Sequence, residues 1–314
     1  MRRVAFLILL SIPLFGAIQH SILPEMGRLP LGEEQLNSTM HEAIRRHRVP
    51  TEPPFRLMSY NMLYSGYDLK QLPENRWEVR KERLREYLLF AQADLIGSQE
   101  LRLCQLQEVQ GWLSNYAHCG EGEDEINAIF YKKNRFKLLS CESPLFTTGK
   151  QYVIACFEDL FTKKQFTVLN CHLSFKTAED RFTEAKELRD VAKTVQGPLI
   201  VTGDFNTFPF YPMESFPFYD GDLVLATISE GGLHEGRTHT LLGHYGPLTS
   251  TTFTMEMMSD FSGLGIAGVI LDHIMVNDEV KVVSHGIDPA RINGKFPSDH
   301  LPIIADISLQ NPRM

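Results

Sequence analysis

From Phe55 onward the chain is built on short apolar runs of strand length, and no other feature limits its fold so closely. The runs are Phe55–Tyr60, Leu95–Ser98, Ala128–Tyr131, Tyr152–Phe157, Phe166–Cys171, Pro198–Thr202, Val269–Val276 and Ile303–Ile307. Runs of this kind read as buried strands. Two clear helical periods lie among them. Glu78–Gln92 sets Leu84, Leu88 and Ala91 on one face with Arg and Glu opposite. Thr177–Val195 opens on Thr177-x-x-Asp180, a variant of the capping box, and then spaces Phe182, Ala185, Leu188, Val191 and Val195 helically. Strands outnumber helices, and several follow one another with no helix between. That excludes a repeating βαβ barrel and predicts a layered α/β protein with mixed sheets.

Polar residues stand at the ends of these runs. Ser59-Tyr60-Asn61 closes the first, Gly97-Ser98-Gln99-Glu100 the second, Asn170-Cys171-His172-Leu173 another and Gly203-Asp204-Phe205-Asn206-Thr207 the next. Leu271-Asp272-His273 interrupts a late run, and Ser298-Asp299-His300-Leu301-Pro302 precedes the last. A single Asn or His at a strand end is most often a turn or cap residue. Six such places in chain order bring carboxylates, amides and imidazoles to one sheet edge. That donor set suits a hard metal ion and a phosphate ester.

On these residues the chain resembles the endonuclease/exonuclease/phosphatase family, with its metal-dependent DNase-I-like fold, over about residues 55–309. Asn61 matches the family's first-strand Asn, Glu100 its Gln-Glu metal ligand, and His172 its His-Leu motif. Asp204 with Asn206 matches Gly-Asp-x-Asn, Asp272 the late Asp, and Asp299-His300 the terminal Ser-Asp-His. The segments Arg76-Trp77-Glu78-Val79-Arg80-Lys81 and Glu125-Ile126-Asn127-Ala128-Ile129-Phe130-Tyr131 also resemble family segments. The resemblance implies a four-layer α/β/β/α sandwich of two packed mixed sheets, and hydrolysis of phosphate esters, chiefly phosphodiesters.

The same resemblance implies the site. Mg²⁺, with Mn²⁺ as a substitute, would bind Glu100 with help from Asn61 and Asp299. Asp204 would be the general base on water, and Asn206 would hold the phosphate or Asp204 itself. His172 and His300, if protonated, would stabilise charge in the transition state, and one of them could also protonate the leaving group. Asp272 would serve His300 and Glu125 would serve His172. No covalent nucleophile is implied. Two places depart from the pattern: Val153 and Leu271 stand where relatives often carry Arg, which thins the phosphate-gripping cations. Arg102 and Lys176 are the nearest replacements in sequence.

Charge bears on the substrate. The chain has a net charge of −8, and residues 1–54 are close to balanced, so the acidity belongs to the remainder. An acidic domain is not built to grip nucleic acid through a broad basic face. Nucleic acid and a phospholipid head group both stay open as substrates. A non-catalytic binding module that has kept the fold is the alternative from another class, and the intact set of site residues speaks against it. The segment Phe208–Tyr219, crowded with Phe, Tyr and Pro, is either a lip that stacks a base or touches lipid, or a loop covering its own small core. His234, His239 and His244 recur at intervals of five, which fits no single helix face and argues against zinc. Five cysteines lack C-x-x-C spacing and read as free thiols.

At the N-terminus, Met1-Arg2-Arg3 precedes an uncharged apolar stretch from Val4 to Ile18. It fits a secretory signal peptide or an uncleaved membrane anchor over residues 1–18. The Pro-rich residues 19–54 read as a linker, with a short helix over residues 33–46. The expected product is an exported (periplasmic or secreted) or membrane-anchored monomer. Its membrane contacts would be made through the N-terminal segment or the aromatic stretch.

Overall fold

Alternation inside the apolar runs decides the layers. In β1 (Phe55–Asn61), Phe55 and Leu57 turn to one face and Met58 and Tyr60 to the other, and all four are buried. A strand covered on both faces needs apolar side chains on both, so it reads as a continuous run. The computed structural model describes residues 53–207, 223–246 and 270–309. The leader, nearly all of the linker with its expected helix, and the aromatic stretch 208–219 lie outside the described residues.

Among the described residues, one sheet has seven strands in the order β10 (His244–Tyr245), β12 (Val280–Ile287), β13 (Ile303–Leu309), β1, β2 (Leu95–Leu101), β4 (Ile126–Lys132) and β3 (Tyr116–Cys119). The other has six: β5 (Phe136–Glu142), β6 (Tyr152–Asp159), β7 (Gln165–His172), β8 (Leu199–Asp204), β11 (Asp272–Val276) and β9 (His234–Glu235). Both are mixed. β1 runs parallel to β2 and antiparallel to β13, while β7 runs parallel to β8, and β8 antiparallel to β11.

The inner faces share a core of Phe55, Leu57, Ile129, Val153, Phe157, Phe166, Ile200 and Ile303, among others. Helices α1 (Trp77–Ala91) and α2 (Leu103–Trp112) cover the outside of the first sheet, with Leu84, Leu88 and Val109 against Tyr60, Ile96 and Phe130. On the second sheet, α3 (Ala178–Thr194) and α4 (Leu223–Ser229) bury Leu188 and Ile228 against Leu169 and Val201. This is the four-layer α/β/β/α sandwich. Thr177 caps α3 as expected, its side chain accepting from the Asp180 N–H at 3.0 Å.

Two differences from the expected elements matter. The late run is not a strand interrupted by Asp272: β11 begins there, which puts that carboxylate at a strand mouth. The edge strands β3 and β5 were not foreseen, because an edge needs fewer apolar residues than a strand buried on both faces. Near the ends of β2 and β7 the sheets are cross-linked by side chains. Gln99 Nε2 donates to Asn170 Oδ1 at 2.7 Å, and Asn170 Nδ2 donates to the Ser98 carbonyl at 2.8 Å. Gly97 permits this approach, since a Cβ there would lie 2.9 Å from Asn170 Oδ1.

Candidate active site

Strand register brings the polar residues to one end of the sandwich. Asn61 is the last residue of β1. His172 and Asp204, the last residues of β7 and β8, stand directly opposite each other, and Asp272 faces Asp204 from β11. Glu100 leaves its ladder: the register of β2 against β4 slips between Ser98 and Leu101, and Glu100 adopts φ 64°. Gly203 has φ 151°, and a Cβ would fall 1.9 Å from the Cys171 carbonyl oxygen. Only glycine lets the chain present Asp204 there.

Asn61 sits at the centre. Its Nδ2 donates to Glu100 Oε1 at 2.9 Å and to Asp204 Oδ2 at 3.0 Å, while its Oδ1 accepts from the Leu63 N–H at 3.0 Å. Asn61 acts as a brace between two carboxylates, with its Oδ1 turned to the backbone. Asn206, at φ 49°, uses its own N–H to cap Asp204 Oδ1 at 2.9 Å and its Nδ2 to donate to His172 Nε2 at 2.9 Å and the Leu173 carbonyl at 2.9 Å. Of its two expected roles, it fills that of holding Asp204.

The two histidines differ in charge. Burial pushes the His172 pKa well below its ordinary value, with Lys150 and His300 adding to the effect, so the ring is neutral. Its Nδ1 has no hydrogen-bond partner among the described residues. Burial also opposes the charge on His300, but Asp272, 2.7 Å from Nδ1, together with Asp204 outweighs it and holds the pKa well above the ordinary value. Asp204 itself is pushed up to about 7 by burial and by Asp272, against the lowering pull of His300 and its own hydrogen bonds.

The expected pairing of Glu125 with His172 is not formed. Glu125 instead accepts from Lys150 Nζ at 2.6 Å. Lys150 was missed in the sequence, yet its charge acts on His172. Arg102 pairs with Asp124 at 3.3 Å and lies over the Tyr64 ring. Fully buried Arg80 is the other surprise. It donates to the Met62 carbonyl at 2.8 Å and the Pro297 carbonyl at 3.2 Å, tying the segment after β1 to the segment that carries His300. The recurring histidines of the 234–244 loop make other contacts: His234 bonds Asp278 at 3.0 Å and stacks on His239, and His244 meets His285.

The donor set fits a hard divalent cation. Ligand atoms of Glu100, His172 and Asp204 lie within 4.8 Å of one another, as do those of Asp204, Asp272 and His300. Burial and the neighbouring Asp299 push the Glu100 carboxyl up, a crowding of acids that a cation relieves. Asp272 is already matched to His300, and His172 Nε2 to Asn206. The carboxylate oxygens of Glu100, with Asp299 nearby, could hold such a cation.

Residues 58–300 match the model of the Endonuclease/Exonuclease/phosphatase family. Among characterised proteins, human nocturnin is 26% identical over 301 residues, an alignment covering 82% of this chain and 66% of nocturnin. The chain thus spans about two thirds of that relative's length. The fold is also similar to that of an endonuclease/exonuclease/phosphatase from Bacteroides vulgatus, with a TM-score of 0.68, 23% identity, and coverage of 82% of this chain and 100% of the other. It is similar again to a mannosyl-6-phosphatase from Bacteroides thetaiotaomicron, with a TM-score of 0.66, 20% identity, and coverage of 81% and 100%.

Proposed function

The chain belongs to the endonuclease/exonuclease/phosphatase family, and from that premise we propose that it is a divalent-metal-dependent hydrolase of phosphate esters, with phosphodiesters its main substrates. One observation carries the reading. Asp204 Oδ2 is braced by Asn61 and lies 3.6 Å from His172 Nε2 and 3.6 Å from His300 Nε2, with a carboxyl pushed up to about 7. A carboxylate poised near neutrality takes a proton from water readily, and its neighbours leave it few ways to turn aside.

The residues divide the work as follows. Asp204 accepts a proton from the attacking water, while the Asn206 N–H and Asn61 fix its orientation. Protonated His300, steadied by Asp272, faces the negative charge that builds on the phosphoryl group or protonates the departing oxygen. Neutral His172 orients the reacting groups without competing for that charge. Glu100 and Asp299 would hold Mg²⁺, with Mn²⁺ as its substitute. When bound, that cation neutralises charge on the phosphate oxygens.

Lys150 and the half-exposed Phe175, whose ring centroid is 5.5 Å from Lys150 Nζ, offer a local phosphate grip and an apolar surface at the rim. That combination suits a substrate engaged through one phosphate, either a nucleotide end or a lipid head group. The apolar stretch behind Arg2-Arg3 supports export or an N-terminal anchor, with the enzyme acting as a monomer at or near a membrane. The test is to incubate purified protein with an aryl phosphodiester, plasmid DNA, RNA and sphingomyelin, with Mg²⁺ and with EDTA. Hydrolysis of at least one substrate that EDTA abolishes and Asp204→Ala lacks supports the reading. Equal rates with and without EDTA overturn it.

A further inference from the structure

β3 and β5 are edge strands of different sheets, and each ends near a cysteine that turns towards the space between them. Cys119 closes β3 opposite Ile129 and is buried in the inter-sheet core. On β5, plain alternation from Phe136 would turn Ser140 inward and Cys141 out. The register against β6 slips between Leu138 and Ser140, so Cys141 comes opposite Ala155 and packs on the core, while Ser140 is exposed. A one-residue slip exchanges the faces of all that follows. The two thiols then come within interaction range of each other, both near Tyr131. The chain beyond them is joined as well: the Glu121 N–H donates to Ser143 Oγ at 3.3 Å, and Gln151 Nε2 donates to the Glu121 carbonyl at 2.6 Å.

We propose that Cys119 and Cys141 are a redox pair, closing to a disulfide that staples the edges of the two sheets when a small-molecule disulfide is the oxidant. Cys141 is half-buried where Cys119 is buried, so it is the thiol that a small-molecule disulfide reaches first, and it attacks as the thiolate. Its sulfur displaces one thiolate from the oxidant to give a mixed disulfide. The Cys119 sulfur then attacks Cys141, losing its proton to the second departing thiolate. The protein gives up two electrons and two protons overall, and the oxidant leaves as two thiols.

The staple sits at the root of two segments, 120–125 and 142–150, whose far ends form the Lys150–Glu125 pair at 2.6 Å. Closing it fixes the base of the site's rim. This inference does not depend on the hydrolase reading.

The full chain is incubated with oxidised glutathione, alkylated, digested and read by mass spectrometry. The expected result is a Cys119–Cys141 linked peptide in most chains, lost on reduction. In Cys119→Ser, glutathione stays on Cys141 for want of a resolving thiol. In Cys141→Ser, Cys119 is recovered without glutathione. Wild-type protein in which both cysteines are recovered alkylated, or in which glutathione stays on Cys141, overturns the proposal, and that result stands without the variants.

Discussion

On one side of Asp204 stands His172, at the end of β7, and on the other His300, in the segment leading into β13. Both Nε2 atoms lie 3.6 Å from Asp204 Oδ2, and both rings are buried. Depth alone would leave both neutral. His300 is charged because Asp272 holds its Nδ1 at 2.7 Å, whereas His172 meets the Lys150 cation and is driven further towards neutrality. Burial pushes both rings towards neutrality, and the carboxylates about His300, Asp272 first, reverse that for one ring alone. The site consequently has a cationic half and a neutral half about one carboxylate.

Removing the shared reference has the largest expected effect. Asp204→Asn keeps the shape and the Asn61 brace but abolishes proton acceptance, and should lower kcat by about 10²–10⁴-fold in a phosphodiester assay. Asp272→Asn comes next, because it makes His300 resemble His172. A loss of about 10²-fold in kcat is expected, and the pH profile should change with it. In the wild type, kcat/KM rises with pH as Asp204 loses its proton, at or below about 7 once a cation stands nearby, and falls again above neutrality as His300 loses its own. In Asp272→Asn that fall should move to lower pH, and an unmoved alkaline limb would contradict the role given to Asp272.

Lys150→Met sharpens the comparison from the other side. Without that cation the His172 pKa should move up while that of His300 stays, with a change in rate of about tenfold or less. Ring-proton NMR titration separates the two. Thr177→Ala, at the cap of α3 and remote from both rings, should cost about 1 kcal/mol in denaturant unfolding and leave both histidines unchanged.

Much of this was legible in the sequence, for identifiable reasons. The central strands announce themselves because covering on both faces demands unbroken apolar runs. Asp204, Asn206, His172, Asp272 and His300 could be read because they close or border those runs in family motifs. The Asp272–His300 pair follows from the same resemblance. The pairing of Lys150 with Glu125 could not be read, since it joins two loops, and Glu125 takes the left-handed region at φ 47°. Nor could the meeting of Cys119 and Cys141, because it hangs on a bulge in an edge strand whose pattern gives no sign of the slip. The neutrality of His172 was hidden for a related reason: charge state depends on neighbours that only the packed sheets bring together.

The most direct test of this asymmetry is ring-nitrogen NMR of His172 and His300 in the metal-free chain through neutral pH. The account predicts a protonated His300, a neutral His172 and no common titration. Two rings titrating together near their ordinary value, or a protonated His172 beside a neutral His300, would contradict it.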